Sequence, residues 1–257
     1  MSSPRFPAAA LCCGVALLMP LTGLRGSVHV SFHPRDDEGI RLEGVLTLPE
    51  GPTPLPAVVL CHPDPRYGGT MDSYVILAID DALQRAGFAT LRFNLRGVGA
   101  STGSFDGGIG EVRDCLGALD FLRGQEDIDG ARVGLIGYSF GAWVGLQACV
   151  VDGAVPVCGC LSFPVPQGEN LAGHLYFADV DFPCLLLTGT EDTISDLPTV
   201  RRLVATYRAG RYCRVEPLGG ADHFFRSAEH LQAAAERMAR LMVEKLGPIG
   251  GASDSSP

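Results

Sequence analysis

The chain has 257 residues, 46% hydrophobic and 19% charged, a globular rather than disordered composition with room for one α/β domain and little for a second. The formal net charge is −9 and no Lys/Arg run offers a footprint for phosphate backbones, which argues against nucleic acid as a partner and against stable docking on anionic membrane. Nine cysteines form an odd number without framework spacing, and Cys61, Cys149, Cys158, Cys160 and Cys184 lie in or beside apolar runs, as buried reduced thiols do.

Residues 1–26 read as a leader. Arg5 precedes an apolar stretch from Ala8 to Leu21, which resembles a weak signal peptide but falls short of the about 20 residues that a membrane span needs. Pro7, Pro20 and Arg25 count against a signal peptide, as does the lack of a clean small-x-small cleavage site. A loosely packed N-terminal segment is therefore expected, with the cytoplasm favoured and secretion or organelle import left open.

The main domain is expected over residues 27–246. Val28 to Phe32 and Arg41 to Leu48 alternate apolar and polar residues as half-buried strands do, and Pro34 to Gly39 reads as their hairpin connection. Ala57 to Cys61 is a continuous apolar run, the mark of a strand covered on both faces. A helical pattern from Ser73 to Ala86 ends at Gly87 and is followed by a strand over Phe88 to Phe93. A helix from about Glu111 to Leu122, a strand Arg132 to Gly137 and a helix Phe140 to Val150 come next. Strands over Val157 to Phe163 and Phe182 to Thr188, a helix near Leu197 to Tyr207 and a strand Tyr212 to Pro217 continue the series. A closing helix, Ala228 to Leu246, carries Leu231, Ala235, Met238, Met242 and Leu246 at helical spacing, one buried stripe. Strands alternating with helices predict a mostly parallel central sheet with helices on both faces. The short connection between Phe163 and Phe182 leaves no room for a large lid, and the Gly/Ser/Pro-rich residues 247–257 read as a disordered tail.

The strongest chemical signal is Gly137-Tyr138-Ser139-Phe140-Gly141, directly after an apolar strand and opening a helix. Gly-x-Ser-x-Gly in that setting makes a sharp turn that presents a serine hydroxyl at the end of a sheet, so Ser139 is the candidate nucleophile. A serine needs a neighbouring base to take its proton. His223, in the loop between the last strand and the last helix, fits the chain order Ser, acid, His; His62 is the nearby alternative. The acid should follow the strand at Leu185 to Leu187, where Asp192 is chosen ahead of Glu191 and Asp196. An oxyanion hole needs two backbone N–H groups. Phe140 supplies one, and because prolines have no N–H the stretch His62-Pro63-Asp64-Pro65 leaves Asp64 as the other, with Arg66 or Tyr67 behind it. Tyr67, Met71, Tyr138, Phe224 and Phe225 are candidates for an apolar substrate pocket.

Two competing signals fall short. Cys158-Gly-Cys160 has no matching Cys/His pair nearby, so no metal is expected; Arg92 to Ser101 lacks both GxGxxG and Gly-Lys-Ser/Thr, so neither is a nucleotide.

The segments His62 to Asp72, Leu91 to Ser101, Gly137 to Ala142 and Asp222 to Phe225 resemble the small α/β hydrolases related to dienelactone hydrolase. That resemblance runs from about Val28 to Leu246 and implies the α/β-hydrolase fold and a lidless esterase-like serine hydrolase, while the triad chemistry read from the residues requires no cofactor. Serine rather than cysteine at 139 departs from dienelactone hydrolase proper and puts lactone substrates in doubt. The resulting expectation is cleavage of a small-molecule carboxylic ester or thioester through an acyl-enzyme, with a homodimer left open. A peptidase or acyltransferase using the same triad, or a binding protein retaining the fold, are the alternatives.

Overall fold

The computed structural model describes residues 26–165 and 168–247. The leader expected over 1–26 and the tail over 247–257 lie outside the described residues, apart from Gly26 and Gly247.

The expected elements form a single eight-stranded sheet in the order β1-β2-β4-β3-β5-β6-β7-β8. The hairpin β1 (Gly26–Phe32) and β2 (Leu42–Leu48) joins the edge of β4 (Ala89–Phe93) antiparallel. β3 (Leu55–Cys61), β4, β5 (Ile128–Tyr138), β6 (Cys158–Leu161), β7 (Cys184–Gly189) and β8 (Cys213–Leu218) run parallel. β3 and β7 are buried at every position, which is why they read as unbroken apolar runs.

The helices cover both faces and divide the core. Cys61, Leu135, Cys160 and Leu186 pack on one face with residues of α2 (Ile109–Arg123), α3 (Phe140–Asp152) and α4 (Leu197–Thr206). On the other, Val58, Leu60, Ile136 and Leu185 meet α1 (Tyr74–Arg85) and α5 (Ala228–Leu246). In α5 the stripe Ala235, Met238, Met242 and Leu246 is buried, while Leu231 is half-buried at its start. Helix ends follow their local chemistry: Asp196 caps α4 by accepting from Thr199 N–H at 2.9 Å, and α3 stops at Gly153 in the left-handed region. No helix among the described residues is long and apolar enough to cross a membrane.

The strand order positions the site. β4 and β5 lie on opposite sides of β3, so the chain reverses direction across the sheet at β3. In open α/β sheets the loops at the carboxyl ends of strands flanking such a point enclose a crevice. Here those loops are residues 62–73 after β3 and the Ser139 turn after β5. The described residues of the β6–β7 connection carry a short 3-10 segment, Leu171–Asp179, and no lid.

One buried ion pair braces this end of the sheet. Arg96, after β4, donates from Nε and Nη2 to Asp114 Oδ1 on α2 at 3.0 and 2.7 Å, and its own N–H donates to Asp114 Oδ2 at 2.9 Å. Asp114 is wholly buried, so removing Arg96 strands a carboxylate in the core. Arg96→Met is expected to cost about 3–5 kcal/mol in urea unfolding. A loss below about 1 kcal/mol would contradict that account of the pair.

Candidate active site

Ser139 sits between β5 and α3 with φ 53° and ψ −120°, a conformation non-glycine residues avoid. The surrounding glycines are what permit it. A Cβ at Gly137 would overlap the Gly141 carbonyl, and a Cβ at Gly141 would overlap the carbonyl oxygen of Cys61 at the end of β3. The turn is secured by Ser139 N–H donating to Leu161 O at 2.9 Å and by Ala142 N–H donating to Ser139 O at 2.9 Å. Helix α3 therefore starts directly beneath the hydroxyl, with its positive end toward it.

Ser139, His223 and Asp192 come together from three separate loops. Ser139 Oγ lies 3.0 Å from His223 Nε2, and His223 Nδ1 lies 2.8 Å from Asp192 Oδ2. An ionised carboxylate can only accept, so Nδ1 carries the imidazole proton and Nε2 accepts from the serine hydroxyl. The carboxylate is itself held: Ile194 N–H and Ser195 N–H donate to Asp192 Oδ1 at 2.9 and 2.7 Å. All three residues are buried, Ser139 the least so, at 9% exposure. Tyr138 OH donates to His223 O at 2.8 Å and fixes the loop that carries the ring. Of the competing acids, Glu191 is exposed and Asp196 caps α4, so Asp192 is the one brought to His223. Such a chain can move a proton from a hydroxyl to an imidazole while a buried anion stabilises the imidazolium.

The loop after β3 turns over the serine. Asp64 accepts through Oδ1 from Arg66 N–H at 2.9 Å and caps the short 3-10 turn Pro65–Tyr67, while the N–H groups of Tyr67 and Gly69 donate to Asp64 O at 3.1 Å. The amides of Arg66 and Tyr67, the fallback donors, are thus consumed within the loop. Those of Asp64 and Phe140 have no acceptor among the described residues, and both residues line the same cleft as Ser139.

That cleft measures about 1270 Å³. Tyr67, Tyr138 and Phe224 line it as expected. Met71 and Phe225 do not: Met71 is 6% exposed with its N–H donating to Asn94 Oδ1, and Phe225 is 1% exposed, packed edge-on to Tyr138. Both turn into the core because the loops carrying them must cover the sheet ends. Phe105 and Trp143 line the cleft and were not anticipated. Their rings flank Phe140 at 5.6 Å each, and the Arg66 guanidinium lies 4.6 Å over Phe105. For Trp143 the signal was present, since position i+4 from Ser139 falls on the same helical face.

His62, the alternative base, is wholly buried and makes no contact with Ser139 Oγ. Leu95 N–H donates to its Nε2 at 3.1 Å, and its Nδ1 lies 2.6 Å from Pro63 O. The sulfur atoms of Cys158 and Cys160 do have a neighbour: strand register sets Cys184 beside Cys158, and the three lie within 4.8 Å of one another. The register thus adds one cysteine, not the Cys/His pair whose absence was read from the sequence. Hydrogen bonding with Cys149 pushes the Cys158 thiol up to about 12, and the Cys158 and Cys184 thiols together with burial push Cys160 well above the ordinary range. These groups stay protonated at neutral pH and pack as small apolar side chains.

A family model described as X-Pro dipeptidyl-peptidase (S15 family) matches residues 38–160. An uncharacterised protein of Rickettsia prowazekii is 35% identical over 190 residues, covering 72% of this chain and 78% of that one. Acylamino-acid-releasing enzyme of Rattus norvegicus is 29% identical over 198 residues, covering 70% of this chain but only 26% of the enzyme. Among solved structures, an α/β serine hydrolase without lid from Xanthomonas campestris is 28% identical, with TM-score 0.69 over 84% of this chain and 94% of its own. Dienelactone hydrolase from Anabaena variabilis shares the fold at 21% identity, with TM-score 0.68 over 85% of this chain and 97% of its own. The chain belongs to one family with the Rickettsia protein, and its fold is that of the α/β serine hydrolases.

Burial drives the His62 pKa down to about 4, whereas histidine in an unfolded chain titrates near 6.5. Between these values the unfolded state binds more protons, so stability falls as pH drops through that window, by on the order of 3 kcal/mol in full. Urea titrations at pH 7 and pH 4.5 should show wild type losing about 2–3 kcal/mol more than His62→Gln. Equal losses in the two proteins would refute the buried neutral ring.

Proposed function

We propose that this hydrolase cleaves neutral carboxylic esters or thioesters through an acyl-enzyme on Ser139. The observation that carries the reading is the hydrogen-bonded chain from Ser139 through His223 to Asp192, at 3.0 and 2.8 Å, opening on an apolar cleft.

Ser139 Oγ attacks the acyl carbonyl carbon as its proton passes to His223 Nε2. The carbonyl oxygen takes up the electron pair as an oxyanion facing the Phe140 and Asp64 N–H groups, each such donor being worth about 10²–10³ in kcat. Collapse expels the alcohol or thiol, protonated by His223, and leaves the acyl group on Ser139. Water then attacks with His223 again as base, and the acid departs with Ser139 regenerated.

A peptidase reading is favoured by the family model for X-Pro dipeptidyl-peptidases, whose match covers residues 38–160. Charge in the cleft favours the ester. The acids lining it, Asp64 and Asp72, are ion-paired with Arg66 and Arg92. Their charges are thus balanced, which weakens the attraction for the α-ammonium of a free peptide N-terminus, while Phe105, Trp143, Ile194 and Phe224 offer apolar contact. Given one dipeptide p-nitrophenyl ester with a free and with an acetylated amine, the acetylated form should have the higher kcat/KM. A preference for the free amine would favour the peptidase.

Ser139→Ala is expected to fold but to lose ester turnover and fluorophosphonate labelling; retained stoichiometric labelling would remove Ser139 from its role. Asp192→Asn should lower turnover by about 10⁴, the loss that accompanies the wrong imidazole tautomer. Glu191→Gln should be near wild type, and a reversal of the two would move the acid by one residue. Because neutral imidazole must accept the serine proton, the rate should rise with pH to a plateau. His223→Ala should abolish that limb together with the activity.

A further inference from the structure

The proposed chemistry gives no role to the buried imidazole of His62 beside the site. His62 directly follows β3, is wholly buried and does not line the cleft. Because Leu95 N–H donates to Nε2, that nitrogen holds the lone pair of the neutral ring and Nδ1 holds its proton. Nδ1–H therefore donates to Pro63 O, at 2.6 Å.

The Pro63 carbonyl belongs to the same peptide as the Asp64 N–H. Across a planar trans peptide these two groups point in opposite directions. A carbonyl tied to a buried ring turns the Asp64 N–H away from the core, toward the cleft that Asp64 lines. Gly69 closes on the same oxygen from another side, since a Cβ there would overlap Pro63 O. The ring is anchored in turn through Leu95, in the loop after β4.

We propose that His62 is a positioning residue for the oxyanion hole: its Nδ1–H holds the Pro63–Asp64 peptide so that the Asp64 N–H faces the acyl oxygen of the tetrahedral intermediate. This rests on the reading of Ser139 as nucleophile and of the Asp64 and Phe140 amides as the oxyanion donors. His62 touches neither substrate nor reacting atoms and acts only through the peptide plane it holds.

The two ring nitrogens can be separated by substitution. In His62→Asn the side-chain amide can donate from near the Nδ1 position to Pro63 O but does not reach Leu95. In His62→Gln the amide reaches the Nε2 position and can accept from Leu95, with no donor left for Pro63. Both are compared with wild type for kcat and KM on a p-nitrophenyl ester. Affinity for a trifluoromethyl ketone is measured as well, because its serine adduct carries the oxyanion. The Gln variant should lose about 10²–10³ in kcat with little change in KM and bind the ketone more weakly in proportion. The Asn variant should recover most of both. The reverse order, equal damage in both variants, unchanged kcat in both, or a loss confined to KM would each overturn the proposal. Should the His62 variants fail to fold, Gly69→Ala displaces the same carbonyl with His62 intact, and it must then show the kcat loss and the weakened ketone. A wild-type protein with neither ester turnover nor fluorophosphonate labelling at Ser139 would instead overturn the proposed function and leave the hydrogen bonds of His62 untouched.

Discussion

The site depends on how closely the start of α3 lies against the end of β3. Gly141 meets the Cys61 and His62 carbonyls where no side chain could fit, so the helix that begins after Ser139 rests on the backbone of the neighbouring strand. That contact brings the Ser139 turn beside the loop that follows β3, although the two are far apart in sequence. Any residue but glycine would push the helix away from the end of β3. The positive φ at Ser139 is the local cost, of order 1–3 kcal/mol, and the parallel pairing of β5 with β3 on one side and with β6 on the other over-determines it.

Around that contact, most of the orienting hydrogen bonds have a backbone group at one end. Asp192 is oriented by the Ile194 and Ser195 amides, and the His223 loop by the Tyr138 hydroxyl. Asn94 accepts from Met71 N–H and donates to Glu43, which also accepts from Ala100 N–H, so the loops after β3 and β4 are tied to β2. Hydrogen bonds made in a buried, water-poor setting are stronger than their surface equivalents and need no rearrangement when charge develops. The site is preorganised in that sense, and its walls are aromatic with their charges already paired.

Most of the architecture was legible because the strands bury both faces and the helices bury one, which writes a continuous apolar run or a 3.6-residue rhythm into the chain. The Gly-x-Ser-x-Gly turn was legible because its glycines are demanded by backbone contact. The strand order was not, since nothing in the β3 or β4 sequences says which side of β3 each neighbour takes. For the same reason Cys184 arrives beside Cys158 and Cys160 only through lateral strand register. Met71 and Phe225 were misplaced because an apolar residue in a loop near a site can face cleft or core, and loop geometry decides which. β5 begins at Ile128, ahead of the apolar run, because Leu55 pairs there across a register shift. The polar stretch Asp129 to Arg132 hid that extension.

The central claim is that an acyl group rests covalently on Ser139 during turnover. Rapid acid quench of the wild-type enzyme during hydrolysis of a slowly deacylated ester, followed by intact and peptide mass spectrometry, tests it directly. The account predicts one acyl increment per chain, confined to the peptide containing Ser139 and decaying as substrate is exhausted. Steady hydrolysis with no increment, or an increment on any other residue, would contradict it.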